Sequence, residues 1–150
     1  MRSARKLGCA TLTLATLFLL VVPAQAAAPR KNGSYFGTVG GSIGQPVSLY
    51  VSKTGRRFSY PSGATLLVQC SDGRRLRVSP NPLGVDIKDG KFSFKATNKE
   101  GGPKPNTVTM TGKFTDRGKK VSGTVSYEGA ENGITCATGT LKYTAKLRTR

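Results

Sequence analysis

From about residue 30 onward, apolar and polar residues alternate in short runs. In PVSLYVS, Val47, Leu49 and Val51 fall on one side and Ser48, Tyr50 and Ser52 on the other. KKVSGTVSY sends Val121, Val125 and Tyr127 one way and Ser122, Thr124 and Ser126 the other. TLKYTAKL turns Leu141, Tyr143, Ala145 and Leu147 inward and Lys142, Thr144 and Lys146 outward. A period of two is that of a strand with one buried face. No long run has apolar residues at three-and-four spacing, so no helix is predicted beyond the N-terminus.

Glycine separates the alternating runs. KTGR (53–56), SDGR (71–74), KDGK (88–91) and DRGK (116–119) each place a glycine where a tight reversal needs a positive φ. GTVGGSIGQP (37–46) and ATNKEGGPKPN (96–106) read as longer, irregular loops. About ten short strands at hairpin spacing predict an all-β fold, an antiparallel β-sandwich with a β-barrel as the alternative.

Three marks recur in the same order. NGSYFG (32–37) parallels DGKFSF (89–94), VSKTGRRFS (51–59) parallels FTDRGKKVS (114–122), and CSDG (70–73) parallels CATG (136–139). They define candidate half-repeats at 32–78 and 89–147, joined by the proline-bearing SPNPLG.

The first 26 residues follow a different pattern. MRSARK is basic, LGCATLTLATLFLLVV is uncharged, and PAQA ends in small residues. Those three parts make a secretory signal peptide, 1–26, with cleavage expected after Ala26. The apolar run is shorter than the ~20 residues of a spanning helix. Residues 27–150 are then a single exported domain, secreted or associated with the cell envelope.

The whole chain carries 24 Lys and Arg, seven Asp and Glu and no His, a net +17. Removing Arg2, Arg5 and Lys6 with the leader leaves 21 − 7 = +14. Of three cysteines, Cys9 departs with the leader, and an exported chain with two left is expected to pair Cys70 with Cys136. No C-x-x-C redox motif exists, and two thiols without His make a poor zinc site.

Without His, Ser-His and Cys-His nucleophile systems are excluded. Asp72, Asp89 and Asp116 occupy turns, where Asp bonds to local backbone. Glu128 and Glu131 flank one loop and are the remaining basis for a carboxylate enzyme. The chain is read as non-catalytic, with no cofactor.

Positive charge is then the chief chemical feature, and it favours anionic partners. In RRLRV, Leu76 and Val78 point inward, so Arg75 and Arg77 point out. Lys142, Lys146, Arg148 and Arg150 share the outward parity of the last strand. Arg56 and Lys119 hold matching places after two hairpin turns. If the disulfide draws its two following strands together, Arg75, Arg77, Lys142 and Lys146 form one basic face. The expected partners are anionic polymers or an anionic envelope surface; the alternatives are a dispersed solubilising charge and a protein-interaction module. Nucleic acid is disfavoured, because the chain has no Trp and only Tyr50 and Tyr60 read as aromatics outside the core.

The Gly-x-aromatic opening, the Cys-x-x-Gly hairpin and the closing CATGTLKYTA (136–145) together resemble small secreted bacterial β-sandwich proteins of the actinobacterial type. The resemblance spans most of 32–147. It implies an exported β-sandwich and carries over no active-site residue.

Overall fold

The computed structural model describes residues 25–40, 42–98 and 106–148. Leader residues 1–24, with Cys9, lie outside these, as do Glu100 and Arg150. The described residues contain strands and turns and no helix.

The strands are β1 (Ser34–Val39), β2 (Ser42–Val51), β3 (Phe58–Ala64), β4 (Leu66–Cys70) and β5 (Arg75–Val78), then β6 (Lys91–Asn98), β7 (Asn106–Thr115), β8 (Lys120–Glu131), β9 (Ile134–Ala137) and β10 (Leu141–Leu147). All pair antiparallel in one ten-stranded sheet that forks at β8 and is not closed into a barrel. Along one edge, β8 pairs with β7 from Glu128 back to Lys120. Its other edge is divided. Lys120–Val125 pair with β10, which leads on through β1 and β2 to β3; Glu128–Glu131 pair with β9, which leads through β4 to β5.

The period-two pattern positions the side chains as anticipated. Tyr35, Leu49, Leu66, Val68, Met110, Phe114 and Val121 are fully buried, and the sheet folds over them as a sandwich around a single core. Phe58 meets Phe92 edge-on at 4.6 Å, and Tyr35 meets Phe114 at 5.2 Å, the arrangement that aromatic quadrupoles favour. The segment after β5 runs back beside β3. Ala64 N–H donates to Pro80 O and Phe58 N–H to Val85 O, both at 3.1 Å.

The stretch 37–46 is not the expected loop. β1 continues to Val39 and β2 begins at Ser42, with a register shift beyond Thr38. Gly37 lies inside a strand because a Cβ there would fall on the Thr144 carbonyl oxygen of β10. Glycine here permits close backbone approach rather than a turn. Gly123 of β8 plays the same part against the Thr111 carbonyl of β7. In the other expected loop, β6 extends to Asn98 and β7 resumes at Asn106; residues 99–105 lie outside the described set.

The three recurring marks open β1 and β6, join β2 to β3 and β7 to β8, and end β4 and β9. The ladders then differ, since β4 pairs with β5 whereas β9 pairs with β8 and not β10. Cys70 and Cys136 face each other across the β4–β9 ladder and are disulfide-bonded. The bond bridges 66 residues. For a loop of that size, Cys70→Ala/Cys136→Ala should lower unfolding free energy by about 4 kcal/mol, read by denaturant titration.

Two buried phenols close hydrogen bonds across the fold. Tyr35 Oη donates to Gly118 O at 2.6 Å and Tyr143 Oη to Thr111 O at 2.9 Å. Burial raises both above the ordinary phenol range; for Tyr35, the hydrogen bond from Arg30 N–H and that residue's charge oppose the rise. The unfolded chain releases these protons near pH ~10 while the folded chain keeps them. Stability should therefore be fully retained below about pH 10 and fall above it; Tyr143→Phe should flatten that alkaline decline in pH-dependent unfolding.

Candidate polyanion-binding face

The basic candidates separate along the two arms of the fork. Arg75 and Arg77 are exposed on β5, which reaches β8 only across β4 and β9. Lys142 and Lys146 are exposed on β10, directly against the first half of β8. No ladder joins β5 to β10. The shared disulfide aligns β4 with β9, but β10 leaves that arm after Cys136 and returns to the other. Arg56 is exposed in the β2–β3 turn. Lys119 is exposed at the β7–β8 turn, where its carbonyl accepts Leu147 N–H at 2.8 Å. Arg148 continues β10 and donates its N–H to Ser34 O at 2.8 Å.

Following the register outward from β10 reveals a more concentrated site. Lys146 is the direct cross-strand partner of Lys120, and Thr144 of Ser122. Beyond β8, Ser122 faces Lys113 and Thr124 faces Thr111; beyond β7, Lys113 faces Lys91, Thr111 faces Ser93 and Thr109 faces Lys95. The outward positions of β6, β7, the first half of β8, β10 and β1 thus hold Lys91, Lys95, Lys113, Lys120, Lys142 and Lys146. Between them stand Ser and Thr hydroxyls and Phe36. None of these positions holds a carboxylate.

The described acids lie in turns, in the segment between β5 and β6, and at the far end of β8. Asp72 is ion-paired with Arg74 in the β4–β5 turn, and Asp86 with Arg57 at 2.6 Å. Slight desolvation works against the Asp72 carboxylate, but the Arg74 backbone N–H and guanidinium hold its pKa below the ordinary value. Asp89 and Asp116 adopt positive φ in their turns. Glu128 is exposed at the far end of β8, opposite Thr107 and Ala137. The Glu131 side chain lies outside the described set. Among the described residues no group of three His, Cys, Asp or Glu side chains could hold a metal.

Hydroxyls floor the face between the lysines. Thr111 and Thr124 hydroxyls lie 2.9 Å apart and bond to each other across β7 and β8. Strands about 4.8 Å apart bring ammonium stems and hydroxyls into an array with regular spacing in two directions. Such an array offers cations and hydrogen bonds to a ligand bearing negative charge and hydroxyls at intervals.

Beside this face, residues 30–33 rise along β1 and form a cleft of about 860 Å³ with the ends of β1, β2 and β10. Phe36 and Tyr50 line it, their rings perpendicular at 5.6 Å. Arg148 Cζ stands 5.6 Å from the Phe36 centroid, a cation–π contact. Phe36 is 37% exposed, so the reading of nearly every Phe as core missed it. Its place between Tyr35 and Gly37 gave the opposite parity to buried Tyr35, and that was the available signal. Tyr60 is 76% exposed on β3, away from these lining residues. Of the adjacent Lys119 and Lys120, it is Lys120 that joins the face, opposite Lys146, 146 − 120 = 26 residues further along the chain.

No known protein family matches this chain, and neither a curated protein nor a solved structure is similar to it.

Like charges directly opposed across a ladder are destabilising. Lys120→Glu should therefore raise stability by up to about 1 kcal/mol at low ionic strength. The gain should vanish in molar salt, where the screening length is about 3 Å; thermal unfolding at two salt concentrations checks it.

Proposed function

We propose that this is an exported, non-catalytic β-sheet module that binds an anionic glycopolymer of the cell surface through its lysine and hydroxyl face. The observation that carries the reading is the Lys120–Lys146 pair. Two ammonium groups stand in direct register, with Lys142 further along the same strand, no carboxylate directly opposite either lysine, and Glu128 at the other end of β8. A fold that tolerates this repulsion gains from a ligand that relieves it. A polymer with phosphate or carboxylate at intervals would engage several lysines at once, and its hydroxyls would meet the Ser and Thr between them.

The surroundings of the site support export. The disulfide is characteristic of an oxidising compartment, and the leader-like N-terminus supplies the route. Among the described residues no helix is long and apolar enough to cross a membrane.

Affinity of the purified protein for poly(glycerol phosphate), polygalacturonate and neutral dextran, across a salt series, tests the function. Both anionic polymers should bind with an affinity that falls steeply with salt, and dextran should not bind. Lys120→Glu/Lys146→Glu should weaken binding at least tenfold, while Arg75→Glu/Arg77→Glu, on the other arm, should change it less than threefold. Equal losses in both variants would reduce the site to a dispersed positive charge.

A further inference from the structure

We infer that the cleft beside the lysine face is a subsite for one anionic sugar ring of the bound polymer. The inference rests on the glycopolymer reading of that face, and it adds recognition of a ring to recognition of charge.

The cleft is built rather than incidental. Its outer wall is a turn in which Gly33 N–H donates to Arg30 O at 2.9 Å, Asn32 N–H to Ser52 O at 3.2 Å and Val51 N–H to Gly33 O at 2.9 Å. Asn32 takes a left-handed φ of 54° to complete it. Gly33 is required at the base, where a Cβ would lie 2.7 Å from the Arg30 carbonyl oxygen and 2.9 Å from the Tyr35 ring. Arg30 N–H is anchored on Tyr35 Oη at 2.9 Å, and that hydroxyl is itself held by Gly118 O. A wall fixed in this way does not have to be ordered by the ligand.

Its chemistry is bipartite. Arg30, Lys31 and Arg148 line it, and none of the three is ion-paired among the described residues. Phe36 and Tyr50 supply an apolar patch beside them. Three cations around one small patch suit a single phosphate or carboxylate, and the aromatic surface suits the C–H face of the ring that bears it. The two rings are perpendicular and Arg148 covers part of Phe36, so the aromatic surface open to a ring is limited, and it is the lysine and hydroxyl face leading into the cleft that favours a sugar over a base. The Phe36 neighbour on β10 is Lys146, so a polymer lying on the face runs directly into the cleft.

Isothermal titration with a trigalacturonate, a tri(glycerol phosphate) without rings and a short oligothymidylate, against wild type, Phe36→Ser, Arg148→Gln and Lys120→Glu/Lys146→Glu, tests the subsite. Phe36→Ser should weaken trigalacturonate about tenfold with its salt dependence unchanged, and leave tri(glycerol phosphate) within twofold. Arg148→Gln should weaken both and reduce the salt slope by about one charge. An unchanged trigalacturonate affinity in Phe36→Ser, with Lys120→Glu/Lys146→Glu still impaired, would overturn the subsite and leave the face intact. Failure of wild type to bind either anionic oligomer or polymer would overturn the glycopolymer reading itself. A larger effect of Phe36→Ser on oligothymidylate than on trigalacturonate would replace the sugar ring with a base.

Discussion

β8 is long enough to serve two neighbours on one edge, and the arrangement of the other strands depends on that division. Its first half holds β10 and, through it, the N-terminal hairpins; its second half holds β9 and the disulfide arm. Close backbone approach accompanies the first half. Gly123 provides it against β7, as Gly37 does where β1 meets β10. A side chain at either place would collide with a neighbouring carbonyl, and the ladder would have to open. The disulfide then ties the second arm together across β4 and β9.

The same division decides where charge accumulates. Strands distant in sequence are placed side by side because their inner faces share Tyr35, Phe114, Val121 and Tyr143 in one core. Their outer faces follow without further choice, since alternate residues point the opposite way. Lys120 and Lys146 are thus brought together by apolar burial on the far side of the sheet. At roughly 25 cal/mol per Å² of apolar area, that burial far exceeds the repulsion of up to about 1 kcal/mol between two opposed ammonium groups. The core can hold a charged face that would not assemble by itself. Arg75 and Arg77 show the converse: their parity is equally outward, but their strand lies on the other arm.

Much of this was legible beforehand. The alternation in β2, β8 and β10 identified the strands and their buried faces, and the glycine turns marked the hairpins. Pairing of Cys70 with Cys136 followed from there being no other partner once Cys9 is set aside. The 37–46 stretch was misread because glycine signals both turns and close packing, and a single sequence does not distinguish the two. The site was legible only in part. Lys142, Lys146 and Arg148 were identified by parity, whereas Phe36 was assigned to the core by residue type, although its neighbours' parity placed it outside.

Local chemistry by itself determined the strands, the direction of each side chain, the disulfide and the excess of positive charge. Each of these depends on residues close in the chain or on composition. Tertiary structure alone decided which basic strands lie together, because β10 pairs with β8 and β1 rather than with the strand just before it. That choice depends on how residues distant in sequence are buried together in one core, which no local pattern records.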